Sequence, residues 1–171
     1  MRRVGLAVMA ALATVAAGCS SADDPEVPGD VAGKTMVAEY ATILRAADLG
    51  GPDELATCVA STVIDALGTD RVEAAGLTAA DLADPEHAFE VQALVTDPDS
   101  LIAGLAECDG ITEVILGEVG DEAPEVQREC VGAEITPELA GAFVASVLLY
   151  VEYSDEALES FGRIRECVDS E

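Results

Sequence analysis

The sequence predicts an all-α fold: a compact multi-helix domain of two related helical units, held by two disulfides. Three observations lead there. Half of the 171 residues are hydrophobic but only 4% are aromatic, with no Trp, so the core is built mainly of Ala, Val and Leu, and Ala and Leu are strong helix formers. From Thr35 onward, apolar residues recur at spacings of three and four, the period of a helix with one buried face. Four cysteines, Cys58, Cys108, Cys130 and Cys167, fall into two pairs with similar surroundings.

The chain opens on a stretch that stands apart from the domain. Arg2 and Arg3 form a short positive region, and Val4 to Ala17 an uncharged apolar run. Ala16, Ala17 and Gly18 are small residues placed just before Cys19. This is the layout of a secretory signal, and it is too short for a transmembrane helix of ~20 residues. Val15-Ala16-Ala17-Gly18-Cys19 resembles the lipobox of bacterial lipoproteins, with Ala16 where that family prefers Leu. The resemblance implies a signal peptide over residues 1–18, cut before Cys19, and a diacylglycerol on the Cys19 sulfur. Two acyl chains anchor stably, because each buried CH₂ contributes ~0.8 kcal/mol. The expected location is the extracytoplasmic face of the cell membrane, with the protein held there by lipid. The alternative is a plain secretory signal with an incidental cysteine.

Residues 19–34 then read as a lipidated N-terminus and a flexible tether. Ser20 to Lys34 is polar, acidic and rich in Pro and Gly, and a coil of that length spans roughly 20 Å root-mean-square. The helical domain is expected over 35–171. Loss of the leader removes Arg2 and Arg3, leaving six basic residues against 34 acidic ones and a formal charge of −28. Such a chain repels nucleic acid and anionic headgroups, so no nucleic-acid partner is expected. Its hydrophobic content is too high for a disordered acidic tail.

The first helix is predicted on the face Met36, Tyr40, Ile43, Leu44 and Ala47, stopped by Gly50-Gly51. Pro52 suits the first turn of the second, with Asp53 and Glu54 at its positive end. Leu55, Cys58, Val59, Thr62, Val63, Ala66 and Leu67 line its buried face, and Gly68 ends it. A short helix follows, with Thr69 as N-cap and Val72 inward, ending at Gly76. Thr78-Ala79-Ala80-Asp81 reads as a capping box with Asp in place of Glu. Within Asp84 to Pro98, Ala88 to Val95 fits a helix or a strand, and the segment reads as irregular or one helical turn. Helix returns at Ser100, with Leu101, Ile102, Leu105 and Cys108 on one face and Asp109-Gly110 as the stop. Ile111, Val114, Ile115 and Val119 mark another helix. Pro124 opens the next, with Val126 and Cys130 inward. Thr136-Pro137-Glu138 is a strong start: cap, Pro at the first position, acid at the dipole. Leu139 to Tyr153 is the most apolar segment after the leader. Gly141, Ser146 and Glu152 interrupt it, so it reads as the central core helix rather than a membrane span. Ser154 starts the last helix, with Leu158, Phe161, Ile164 and Val168 on one face and Cys167 beside them.

An even number of cysteines in an exported chain reads as two disulfides, and four cysteines allow three pairings. Cys58-Val59 follows the acidic start of a helix (PDELATCV), as does Cys130-Val131 (PEVQRECV). Cys108 and Cys167 fall near helix ends (SLIAGLAEC, SFGRIREC). An early and a late cysteine lie at the same height when their helices pack antiparallel. That favours Cys58–Cys108 and Cys130–Cys167. A Cys₄ metal site is the weaker alternative, because no CxxC pair occurs, and buried free thiols are the third. The arrangement from Leu55 to Val168, with its repeated Cys-Val helices and the segment Ala66 to Leu82, resembles small Ala- and Asp-rich actinobacterial lipoproteins. That resemblance implies no particular activity and supplies no functional residues.

Catalytic signatures are scarce. His87 is the single histidine and sits beside Glu86, so it reads as a solvated residue rather than a general base. A His-based zinc site lacks ligands. Ser61, Ser100, Ser146 and Ser154 have no GxSxG setting. Asp97-Pro98-Asp99 begins like a calcium loop, but Leu101, Ile102 and Cys108 occupy positions that an EF-hand needs for other residues. Phosphate loops and dinucleotide fingerprints are absent. No catalytic residues, metal or cofactor are therefore expected. The preferred expectation is a non-enzymatic binding domain for an envelope or secreted protein or a small ligand, marked by an apolar groove among acidic faces. A carboxylate- or metal-dependent enzyme and a structural acidic envelope protein are the alternatives.

Overall fold

The computed structural model describes residues 28–47, 52–119 and 124–169. Cys19, the leader and Gly50-Gly51 lie outside them. The described residues form nine α-helices and no strand: α1 Pro28–Ala46, α2 Asp53–Leu67, α3 Thr69–Ala74, α4 Ala88–Leu94, α5 Pro98–Ala106, α6 Ile111–Val119, α7 Glu125–Glu134, α8 Pro137–Leu149 and α9 Asp155–Asp169. Two 3₁₀ turns, Asp81–Ala83 and Pro85–His87, lead into α4.

Local chemistry explains most of these boundaries. Thr136 accepts the Leu139 N–H at 3.2 Å and caps α8, with Pro137 following. Asp97 caps α5, accepting from the Ser100 N–H at 3.1 Å and its hydroxyl at 2.7 Å. The capping role accounts for the acids that look like the start of a calcium loop. Ser154 accepts from the Ala157 N–H at 3.2 Å at the start of α9. Gly68 closes α2 at φ +77°, a left-handed conformation that costs glycine least. Arg71 packs against it and donates to the Ala66 carbonyl at 2.7 Å and the Leu94 carbonyl at 3.1 Å. One guanidinium thus satisfies the ends of two helices, α2 and α4, and fastens the intervening segment.

α8 runs through the middle. Eight of its residues are buried, from Leu139 to Leu149, so it is apolar around most of its circumference, as a central helix must be. Among the described residues, no single helix is long and apolar enough to cross a membrane. One face of α8 joins the larger core, which holds Tyr40, Leu44, Leu55, Ile64, Leu67, Leu101 and Leu105. Another joins a smaller core of Val131, Leu139, Ala142, Ala157, Ile164 and Cys167. Gly141 makes the junction with α5 possible: a Cβ there would lie 2.6 Å from the Ile102 carbonyl oxygen and 3.2 Å from the Ala106 nitrogen. The glycine that interrupts the apolar run in the sequence is where α8 comes against the backbone of α5.

Both disulfides join the expected partners. Cys58 pairs with Cys108, and Cys130 with Cys167, at S–S distances of 2.02 and 1.94 Å. The repeat also holds locally. Pro52 and Pro124 stand at the same place, just before α2 and α7, each six residues before its cysteine, and Val59 and Val131 are both buried.

Several expectations are corrected. Helix α1 begins at Pro28, inside the stretch read as tether, and the half-buried Ala32 and Gly33 carry the face of Met36 and Tyr40 back by one turn. Residues 84–98 hold a 3₁₀ turn and the two-turn helix α4, more helix than the irregular chain or single helical turn expected there. Helix α8 stops at Leu149, since Tyr150 is left-handed at φ 55°, and does not continue to Tyr153. Val126 is 75% exposed and Leu158 53%. Each lies well round the helix from its buried neighbours, Val131 in α7 and Ile164 in α9. Val168 and Ala47, at helix ends, are also exposed.

Candidate functional site

Helix α1 positions an apolar concavity. Its buried face carries Met36, Tyr40, Ala41 and Leu44 into the larger core. The opposite side leaves Val31, Thr35, Ala38 and Thr42 exposed. Residues at i, i+4, i+7 and i+11 fall on one stripe of a helix. Beside this stripe lie Ile43 and the Thr78-Ala79-Ala80 turn. Together they enclose an open groove of about 800 Å³, rimmed by Lys34 and Glu39.

The polar atoms in the groove wall are already engaged. The Thr35 hydroxyl donates to the Val31 carbonyl at 3.0 Å, and the Thr42 hydroxyl to the Ala38 carbonyl at 2.9 Å. These i−4 bonds turn both oxygens toward the helix backbone, leaving the methyl groups for the groove. The Thr78 hydroxyl donates to Asp81 Oδ2 at 2.6 Å, and the Thr78 N–H bonds the same oxygen at 2.8 Å. This is the capping box read from the sequence, and it also shapes the groove wall. The surface is thus apolar in effect despite its threonines, and its chemistry suits an apolar partner face more than a polar ligand.

His87 lies behind that wall. Its Nδ1 is 2.7 Å from Glu90 Oε2 and its Nε2 3.5 Å from Asp81 Oδ1. The bond to Glu90 raises its pKa, helped by the charges of Asp81, Glu90 and Asp84. With carboxylates at both ring nitrogens the protonated ring is favoured, which suits a tie between the two 3₁₀ turns and α4 and makes a poor general base. Asp81 titrates below the usual carboxylate range, chiefly because the Thr78 hydroxyl and N–H hold its charged form. Asp97 does likewise through Ser100.

Among the described residues, no three His, Cys, Asp or Glu side chains converge as a metal site. Of the four serines considered, Ser100 is engaged by Asp97 and Ser154 caps α9; Ser61 and Ser146 are half-buried on α2 and α8. Cys58 is half-buried beside Asp53, Thr57 and Thr62, while Cys108 is buried. In the core, the Tyr40 side chain is fully buried and its hydroxyl has no hydrogen-bond partner among the described residues. Burial pushes its pKa far above the ordinary tyrosine value.

The structure therefore brings together residues that sequence reasoning treated separately. Val31 and Lys34 belong to the stretch whose composition reads as tether, and Thr78 to Ala80 to one that reads as a helix start. The stripe's spacing was visible in the sequence, but Thr and Ala do not register as an apolar face until their hydroxyls are accounted for. Comparison with protein-family models, with curated proteins and with solved structures finds no match.

Proposed function

We propose that this protein is a lipid-anchored domain on the extracytoplasmic face of the cell membrane, tethered through Cys19, and that its role is to bind a partner rather than to catalyse a reaction. The observation that carries the binding role is the groove between α1 and Thr78–Ala80: an apolar concavity on a chain with a formal charge of −26 over its whole length. Apolar surface of this kind on an otherwise charged protein marks interaction sites. The anchor rests on the Val15 to Cys19 pattern and its likeness to the lipobox.

The test places a photoreactive residue at Ala38 in the groove, or at Ala133, which is exposed on α7, in the full chain in intact cells. A discrete covalent adduct from position 38 and none from 133 is expected. Cys19→Ser in the same cells is expected to move the protein out of the membrane fraction. Equal labelling at both positions would contradict the binding site, and unchanged fractionation would contradict the anchor.

A further inference from the structure

We infer that the groove's occupant is helix α1 of a second copy of this chain, packed parallel to the first. The inference rests on the reading of the groove as a binding site and on the anchor at Cys19. Val31, Thr35, Ala38 and Thr42 occupy alternating d and a positions of a heptad, the spacing of a two-helix seam. In that register Lys34 is a g residue and Glu39 the e residue five positions on. Residues g and e of facing helices meet across a parallel pair, so Lys34 of each copy faces Glu39 of the other, twice by symmetry. All six residues are exposed.

The charge pattern is what singles out a second copy. Lys34 is the single lysine of the chain, and it falls where this seam needs a cation opposite a carboxylate. An ammonium has three donors, so the contact is compatible with bonds inside its own copy. The side chains along the seam are short, which lets two backbones approach closely. The Asp81–Thr78 bonds hold the Ala79-Ala80 wall against which the partner helix would lie.

The orientation follows from the anchor. Pro28, where α1 begins, is nine residues beyond Cys19, a reach of at most about 30 Å. Two copies held in one membrane therefore keep both α1 N-termini within that reach of the same plane, which a parallel pair satisfies without strain on either tether. Four short residues per copy make an interface well below the ~1,600 Å² of a stable complex. Pairing thus depends on the raised local concentration of anchored chains, and the Cys19→Ser protein is expected to be monomeric at the same expression level.

The experiment co-expresses two differently tagged full-length copies, each with the photoreactive residue at Ala38. An adduct joining the two tags is expected. Lys34→Glu in both copies, or Glu39→Lys in both, places like charges across the seam and should lower its yield by about five-fold. A Lys34→Glu copy with a Glu39→Lys copy faces opposite charges at both contacts and should restore the yield. Thermal melts of the single variants are expected to match the parent, because both sites are exposed. Yields indifferent to these reversals would overturn the pairing. Adducts from Ala38 only to another protein would overturn it while leaving the groove a binding site, and no adduct from Ala38 in any combination would remove both readings.

Discussion

Cys58–Cys108 spans 50 residues beside a core containing Tyr40, Leu55, Ile64, Leu67 and Leu105, whereas Cys130–Cys167 spans 37 residues beside a core of six buried residues. The chain entropy removed by the two crosslinks differs little, since it grows only with the logarithm of loop length. What differs is the apolar surface that each half buries. The α1–α5 half, with α8, has enough large side chains to hold together by packing. The α7–α9 half relies on Val131, Leu139, Ile164, a few small residues and the contacts of Phe161 with Phe143 and Tyr153, at centroid distances of 6.2 and 4.8 Å. The same covalent device thus reinforces a core in one half and substitutes for one in the other.

The sharpest way to break this comparison is to remove each staple in turn. Cys130→Ser with Cys167→Ser and Cys58→Ser with Cys108→Ser should each cost about 4 kcal/mol in denaturant unfolding. Hydrogen exchange should distinguish them. Loss of the second disulfide should expose amides of α7 and α9 while α2 and α5 stay protected. Loss of the first should lower protection throughout. Identical exchange patterns would mean that the halves are not separable.

Gly141→Ala strikes the junction instead. The new methyl meets backbone of α5 and cannot be accommodated by a side-chain turn, so a loss of about 2–3 kcal/mol is expected. A melt that remains a single transition at lower temperature would place α8 in both halves. A smaller effect of opposite sign is expected at Tyr40, in the better-packed half. Tyr40→Phe removes a buried hydroxyl without a partner and should stabilise the protein by about 1 kcal/mol; urea unfolding measures it.

The smallest effect is electrostatic. His87 has a raised pKa in the folded protein, so its contribution is fully present below the ordinary value of 6.5 and fades as pH rises through the folded pKa. Asp81, with a lowered pKa, contributes above the ordinary 3.8 and loses that contribution as pH falls through its folded pKa. The Tm difference between the parent and His87→Gln should therefore be larger near about pH 5.5 than near about pH 8. A difference that grows with pH would contradict the tie to Glu90 and Asp81.

Much of the fold was legible because its signals are local. Thr136-Pro137-Glu138 announces α8, Thr78 with Asp81 announces a capped turn, and Pro52 and Pro124 each start a helix whose sixth residue is a cysteine. The disulfide pairing followed from where those cysteines stand along their helices. Rotational phase was harder to read. Val126 and Leu158 look like core residues because they are apolar, yet five- and six-residue offsets from Val131 and Ile164 turn them to solvent. The start of α1 was hidden because Pro28, Gly29, Asp30 and Gly33 resemble linker composition. The groove was hidden with it, since its N-terminal end is Val31 and its apolar character depends on threonine hydroxyls bonded to their own helix.

An intact-mass measurement on protein purified from the cell envelope tests the proposed lipid anchor and the two disulfides most directly. The predicted species starts at Cys19, carries an acyl modification on that residue, and gains four hydrogens on reduction, with peptides linking Cys58 to Cys108 and Cys130 to Cys167. A species that starts elsewhere, or one with Cys19 unmodified, would contradict the proposed placement at a membrane and the local concentration on which the proposed pairing depends.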